Sequence, residues 1–190
     1  MTSRLTDADY ADAANALGCE IGAIKAVAQV ESAGDGFNLD GTPKILFEGH
    51  QFSKFTKGEF DLTYPTLSYP SWTKQFYGKT QAQEHQRLTE ARRLHSTAAL
   101  LSTSWGKFQI MGFNFAACGF TSVDWFVSAM CTSEKAQLDA FVEYIKTRGL
   151  ADELQEHRWE DFARLYNGPQ YALNSYDTKL AAAYDEYSTT

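Results

Sequence analysis

A chain of 190 residues can form one sizeable hydrophobic core or two small lobes, and it is too short for two ordinary independent domains. An apolar fraction of 44% with 22% charged residues is typical of a globular protein and argues against a disordered chain. The formal net charge of −7 argues against a nucleic-acid partner, because phosphate binding needs clustered Lys and Arg side chains. We therefore predict a single domain over residues 1–190.

Other classes are disfavoured by what the chain lacks. The N-terminus has no apolar signal-peptide core, and no apolar run is long enough to cross a bilayer, so we expect synthesis in the cytoplasm and no membrane insertion. The cysteines Cys19, Cys118 and Cys131 are odd in number and lie in apolar helical surroundings, which indicates free buried thiols. The four histidines are scattered, and no cofactor or metal is predicted.

The chain begins with two predicted helices. Thr6 and Asp9 resemble a capping box that starts the first helix, which ends at Gly18. In the second, the helical period places Ile21, Ile24, Ala28 and Glu31 on one face, so the carboxyl group continues an apolar stripe.

Desolvation favours the protonated form of such a carboxyl group, which is how a general acid is made near neutral pH. Glu31 is therefore a candidate general acid. Gly34 and Gly36 follow it, and we expect them to leave this end of the helix sterically open.

The segment that follows the second helix is predicted to form a β-hairpin. Residues 37–39 and 44–48 flank an Asp40-Gly41 turn signal, and Glu48 would share a strand face with Leu46. From Gly49 to Thr80 no period is sustained, so we predict an irregular, aromatic-rich segment. Its rings are candidates for ligand contact: Phe52, Tyr64, Tyr69, Trp72 and Tyr77.

The remainder is predicted to be mostly helical. A long helix covers about residues 81–101 and is followed by the polar, aromatic and glycine-rich stretch 103–112. Further helices are predicted at 113–118, 123–130, 133–147, 150–156, 158–165 and 171–187, with a break at Asn167-Gly-Pro169 before the last.

Three motifs in this order resemble the lysozyme superfamily. They are Val30-Glu31-Ser32, the block Ser104-Trp-Gly-Lys-Phe-Gln109-Ile-Met-Gly112, and Leu165-Tyr166-Asn167-Gly168. The segments are similar to those of goose-type lysozymes and lytic transglycosylases. Residues 45–52 together with the block 104–114 look more closely like the N-acetylmuramidase domain of bacteriophage endolysins.

The resemblance implies an α+β, predominantly α-helical, lysozyme-like two-lobed fold with a small β-hairpin lobe and a peptidoglycan groove. It places the catalytic acid at Glu31. Glu48 is the first choice for a second catalytic carboxylate; the alternative for Glu48 is a structural role, in which it holds Gly49-His50 or a helix N-terminus. Asp35 and Asp40 are the other candidates, and both also suit turns. The residues expected to position the substrate are Gln109 and Tyr166, with Ser104, Asn167 and Trp105 as further candidates; Trp105 fits the core equally well.

The implied activity is hydrolysis of the β-1,4 bond between N-acetylmuramic acid and N-acetylglucosamine by general acid catalysis, which would lyse bacterial cells. The alternatives are a lytic transglycosylase that forms 1,6-anhydro products and a non-catalytic peptidoglycan-binding protein. The expected partner is bacterial peptidoglycan, bound by a monomer. The implied setting is the host cytoplasm before release to the periplasm and cell wall, for a phage lysin or a bacterial toxin.

Overall fold

A computed structural model describes residues 4–32, 35–168 and 171–188, so Gly34 and Pro169 lie outside the described residues. Within these ranges the chain forms nine α-helices, three short strands and two 3₁₀ turns. The helices are α1 (Asp7–Leu17), α2 (Ile21–Ser32), α3 (Gly49–Phe55), α4 (Gln81–Leu101), α5 (Val123–Met130), α6 (Glu134–Arg148), α7 (Ala151–Gln155), α8 (Trp159–Asn167) and α9 (Tyr176–Ser188). The strands are β1 (Ile45–Phe47), β2 (Thr103–Trp105) and β3 (Ile110–Met111), and the 3₁₀ turns are Gly112–Asn114 and Tyr171–Asn174. The predicted α+β class with mostly helical content is confirmed.

Local sequence signals explain where several helices begin and end. The capping box predicted at the start of α1 is present: Thr6 Oγ1 accepts from Asp9 N at 3.3 Å, and Thr6 N donates to Asp9 Oδ2 at 2.8 Å. Ser122 and Ser133 are the N-caps of α5 and α6, where their hydroxyl groups accept from Trp125 N and Ala136 N. Helix α1 then ends at Gly18, whose φ of 67° suits a residue without a Cβ atom.

The predicted hairpin at residues 37–48 is wrong in its pairing. Strand β1 pairs with β2, and β2 pairs with β3, in one antiparallel sheet of order β1-β2-β3. Ile45 lies opposite Trp105, some sixty positions later in the chain. Next to the Asp40-Gly41 turn the prediction is confirmed over a few residues only, where Phe37 bridges Pro43, Asn38 N donates to Thr42 O and Lys44 N donates to Gly36 O. The β-hairpin of the sheet is therefore formed by β2 and β3.

The segment predicted as irregular begins with a helix. Glu48 ends the extended run of β1 and occupies the N-cap position of α3, so it is not a strand residue beside Leu46. Phe52 anchors α3 because its ring is fully buried against Phe47, at a centroid distance of 5.7 Å. Helix α3 has only seven residues, which is too few for a helical period to be visible in the sequence.

The second helix is the centre of the core. Ala23, Ile24, Ala26 and Val27 are fully buried, whereas Ile21, which was predicted to lie on the buried face, is 37% exposed. Helix α9 packs along α2, and α8 packs on α9. The helix that carries Glu31 is therefore held between the core and the C-terminal helices.

The described residues include no helix with the length and apolarity needed to span a membrane.

The three cysteines are free thiols within the described residues, as predicted, but only Cys118 is fully buried. Cys131 is exposed, because it follows the last residue of the short helix α5.

Candidate active site

Glu31 lies in the last turn of α2 and faces Asn167 at the end of α8. Its Oε1 accepts a hydrogen bond of 2.7 Å from Asn167 Nδ2. Burial raises the pKa of Glu31 to about 7, and the hydrogen bond from Asn167 opposes this shift. A carboxyl group with such a pKa holds its proton for a large fraction of the time near neutrality, as a general acid requires.

Asn167 can serve both protonation states of Glu31. Its Nδ2 donates to the ionised carboxylate, while its Oδ1 is buried and has no hydrogen-bond partner among the described residues. A flip of the amide would present Oδ1 as an acceptor to the protonated carboxyl group. The side chain is thus suited to hold the acid in place before and after proton transfer.

Glu48 accepts hydrogen bonds from Tyr77 and has His50 beside it. The Tyr77 hydroxyl lies 2.8 Å from Oε1 and 2.7 Å from Oε2, and its proton can be donated to either oxygen. His50 Nδ1 lies 3.2 Å from Oε2, an ion pair when the ring is protonated. Burial, followed by the negative charge of Glu48, raises the pKa of Tyr77, so Tyr77 remains a donor. The two short distances to the Tyr77 hydroxyl show that the position of the Glu48 carboxyl group is fixed from this side.

Two adjoining cavities of about 460 and 470 Å³ share Glu48, Trp72 and Asn167 in their walls, and we treat them as one groove. The first arm of the groove is further lined by Val30, Leu46, Lys74, Tyr77, Tyr171, Asn174, Tyr176 and Lys179. The second arm is further lined by His50, Gln51, Met111, Phe113, Asn114, Tyr144, Arg148, Leu165, Tyr166 and Gly168. The two arms meet beside the residue that holds Glu31.

Tyr176 links the two carboxyl groups. Burial raises its pKa to about 12, and the next contributions come from the negative charges of Glu31 and Glu48. Its side chain therefore lies within electrostatic reach of both carboxylates while it lines the first arm of the groove. Glu31 and Glu48 are therefore both close enough to Tyr176 to raise its pKa.

Tyr166 also lines the groove, but its hydroxyl group is engaged inside the protein. It donates to the Phe108 carbonyl at 2.7 Å, and its ring stacks on Phe162 at a centroid distance of 5.1 Å. Burial, and next the charge of Glu31, raise its pKa well above the ordinary value. A contact with a ligand would therefore use the ring of Tyr166; its role in substrate positioning stays a prediction.

Gln109 and Ser104 lie in the β-hairpin and are not among the groove-lining residues that the structure describes. Ser104 Oγ donates to Gln109 Oε1 at 2.9 Å, and Gln109 Nε2 donates to the Gly106 carbonyl at 2.8 Å. Gly106 is required here, because its φ is 70° and a Cβ atom would lie 2.5 Å from Gln137 Cδ. These bonds stiffen the hairpin beneath Leu46; direct substrate contact by either side chain stays a prediction.

The remaining candidate site residues interact with residues outside the groove; they are Trp105, Asp40 and Asp35. Trp105 is buried, and its indole N–H donates to the Leu100 carbonyl at 3.4 Å. Asp40 Oδ1 accepts from the Thr42 backbone at 2.9 Å, as a turn-forming Asp does, and Asp35 lies 3.3 Å from Arg4.

The sequence predicts open space around the end of α2 at Gly36, and the structure does not show it. A Cβ atom there would lie 2.1 Å from Gln137 Oε1, so this glycine permits close packing against α6.

The sequence interpretation named Trp72 and Tyr77 among five aromatic candidates, and both line the groove, whereas Phe52 and Tyr69 are buried. It missed His50, Tyr176 and Lys179. Two signals were present: His50 follows Glu48 by two residues, and Tyr176 and Lys179 are three residues apart on one face of a helix. Within the described residues, no group of three His, Cys, Asp or Glu side chains is arranged to hold a metal ion.

Comparisons with known proteins agree with this geometry. A sequence profile of the N-acetylmuramidase family matches residues 20–188. The crystal structure of the Burkholderia AP3 phage endolysin is similar, with a TM-score of 0.85 and 41% sequence identity over 98% of this chain and 73% of the endolysin chain. The expected lysozyme-like fold is thereby confirmed. A comparison with curated proteins found no match.

Proposed function

Because the chain belongs to the N-acetylmuramidase family and is a peptidoglycan-degrading enzyme, we propose that its groove cleaves the β-1,4 bond between N-acetylmuramic acid and N-acetylglucosamine by hydrolysis. The observation that carries this proposal is the buried Glu31, with a pKa of about 7, hydrogen-bonded to Asn167, which lines the same groove as the carboxylate Glu48. Two carboxyl groups in different environments are the arrangement that glycoside hydrolysis uses, because one must hold a proton while the other stays ionised.

In the proposed mechanism, Glu31 gives its proton to the glycosidic oxygen as the bond breaks. Glu48, held in place by the Tyr77 hydroxyl group, stabilises the positive charge that develops on the sugar ring. It then acts as a base toward water if the carboxyl groups are about 6.5–9.5 Å apart, or as a nucleophile if they are about 5–5.5 Å apart. The anomeric configuration of the first product distinguishes these two routes.

The experiment that tests the reaction is mass spectrometry of the fragments released from purified peptidoglycan. We expect muropeptides with a reducing-end muramic acid, heavier by one water than the 1,6-anhydro form. Exclusively anhydro products would contradict hydrolysis and make the enzyme a lytic transglycosylase. Absence of any released fragment would favour a binding protein without catalysis.

The pH profile gives a second prediction. Since Glu31 must be protonated to act, kcat should fall on the alkaline side with an apparent pKa near 7. Asn167→Leu removes the hydrogen bond that lowers this pKa while keeping the site dry, so the alkaline limb should move to higher pH. The control Asn15→Leu, on the exposed side of α1, should leave the limb in place. An unchanged limb in Asn167→Leu would contradict the pairing of Asn167 with the catalytic acid.

The likeness to a phage endolysin also supports a biological role. We propose that the chain degrades the cell wall of a bacterial host at the end of a phage infection. Expression behind a secretion signal should then lyse cells, and the Glu31→Gln chain expressed in the same way should not.

A further inference from the structure

Three basic side chains line the groove in a protein whose net charge is −7. Lys74, from the segment after α3, and Lys179, from α9, line the first arm. Arg148, at the end of α6, lines the second arm. The cations come from three distant parts of the sequence and meet at one groove.

None of these three cations forms an ion pair within 4.0 Å in the part of the chain that the structure describes. Lys74 Nζ instead donates to the neutral Asn174 Oδ1 at 3.0 Å and lies 5.6 Å from the centroid of the Trp72 ring. Lys179 Nζ lies 5.9 Å from the centroid of the Tyr176 ring. Amides and aromatic rings orient these ammonium groups without neutralising their charge.

Arg148 follows the same pattern. Its Nη2 donates to Asn114 Oδ1 at 3.4 Å, and its guanidinium group lies 5.6 Å from the centroid of the Tyr144 ring. Some basic side chains elsewhere do face carboxylates, as Lys135 faces Asp139 and Arg164 faces Asp161. The groove cations therefore remain available to an anionic ligand.

The glycan that we propose as substrate carries its negative charge on one sugar only. N-acetylglucosamine is uncharged, whereas each muramic acid bears a lactyl carboxyl group, either free or joined to a stem peptide that has carboxylates of its own. A cation beside a sugar groove gains from facing such a group, and Lys74 can exchange its neutral amide partner for it.

We propose that Lys74 and Lys179 bind a carboxylate of the muramic acid substituent, so that the groove selects an anionic strand over an uncharged β-1,4-linked N-acetylglucosamine polymer. This inference rests on the proposed function, since it names the part of the same substrate that the groove recognises. It makes the two lysines specificity-determining residues for a reaction carried out by Glu31 and Glu48.

The test measures binding apart from catalysis, by co-sedimentation of Glu31→Gln chains with purified sacculi. One portion of the sacculi is untreated, and in another the carboxyl groups are converted to neutral amides with carbodiimide and ammonia. The chain with intact lysines should bind untreated sacculi more tightly than amidated sacculi, and salt should reduce this preference. Adding Lys74→Gln and Lys179→Gln should weaken binding to untreated sacculi roughly three- to tenfold and abolish the preference.

Two further variants separate charge from packing. Lys74→Arg with Lys179→Arg should restore the preference for untreated sacculi, because the charge is retained. Lys54→Gln with Lys79→Gln, which removes two exposed lysines that do not line the groove, should bind as the parent does. Equal binding of the parent to untreated and amidated sacculi, or an unchanged preference in the Lys74→Gln, Lys179→Gln chain, would overturn the inference.

A third substrate identifies the source of the carboxylate. Glycan strands freed of stem peptides by an amidase keep only the lactyl carboxylate. A preference that survives on these strands places the contact at the lactyl group, and one that is lost places it on the peptide. Failure of the proposed function is seen separately, as the absence of reducing ends when the chain with intact Glu31 is incubated with sacculi.

Discussion

Replacing Glu31 with Gln is expected to lower kcat on purified peptidoglycan by about 10²- to 10⁴-fold, the usual contribution of a general acid. The amide has nearly the same shape and can still accept the hydrogen bond from Asn167, but it has no proton to give to the glycosidic oxygen. The measurement is the release of reducing ends at fixed enzyme concentration. Glu59→Gln, on an exposed side chain away from the groove, is the matched control and should retain the parent rate.

The fold of the Glu31→Gln variant should be preserved, which keeps the experiment interpretable. The raised pKa of Glu31 contributes stability below the unfolded-state value of 4.5, and this contribution is lost as the pH rises through about 7. Denaturant unfolding should therefore show the variant gaining stability relative to the parent between about pH 5 and pH 8. A variant that unfolds normally and still cleaves at the parent rate would remove Glu31 from the mechanism.

Glu134→Gln is expected to cause a large loss of stability, about 3–5 kcal/mol, because it breaks a buried ion pair from one side. Glu134 Oε2 lies 3.1 Å from Lys107 Nζ, and both side chains are 4% exposed. The same carboxylate accepts from the backbone of Gly36 at 2.7 Å and of Leu5 at 3.2 Å. An amide cannot match the charge of Lys107 or accept all of these bonds equally well.

Thermal unfolding should show this loss as a fall in Tm of about 6–20 °C for a domain of this size. Asp139→Asn, which removes one side of an exposed ion pair with Lys135 on the same helix, is the control and should cost less than about 1 kcal/mol. Equal Tm values for Glu134→Gln and Asp139→Asn would show that the buried pair does not hold the hairpin and the end of α2 together.

Helix α2 and the place of Glu31 could be predicted because both depend on nearest neighbours along the chain. A helical period puts Glu31 next to Val27 and Ala28 regardless of the rest of the fold. Ile24 and Ala28 are buried as predicted and Ile21 is not, whereas the burial of Ala23, Ala26 and Val27 was not predicted. Ile21 is exposed because it lies in the first turn, where the helix begins at the edge of the core. Local periodicity predicts which face of a helix is apolar, but it does not predict how many turns of that helix the core covers.

The sheet could not be predicted in the same way, because strand pairing depends on residues far apart in sequence. A turn signal at Asp40-Gly41 favoured local pairing, but β1 gains a better partner in β2, where Ile45 and Trp105 are both buried. The environment of Glu48, which directly follows β1, depends on this pairing of β1 with β2. Its partner Tyr77 comes from the segment without a period, so nothing in the sequence could join the two.

The walls of the groove were only partly predictable for the same reason. Trp72 was found through its residue type, whereas Tyr176 and Lys179 are ordinary residues of an amphipathic helix until α9 is packed on α2. Whether Gln109 and Ser104 contact the substrate stays a prediction from the family resemblance.

The hydrogen bond between Glu31 and Asn167 joins positions 136 residues apart, and Tyr176 lies farther still along the chain. Closing a loop of that length is entropically costly, so such contacts form after local helices and hairpins have formed. A partly folded chain in which α9 has separated from α2 would keep the helix that carries Glu31 but lose one wall of the groove and the dryness that raises the pKa of Glu31. The ability of Glu31 to hold a proton near neutral pH is therefore expected only of the completely folded chain, and it would be lost when α9 separates from α2, before the core itself unfolds.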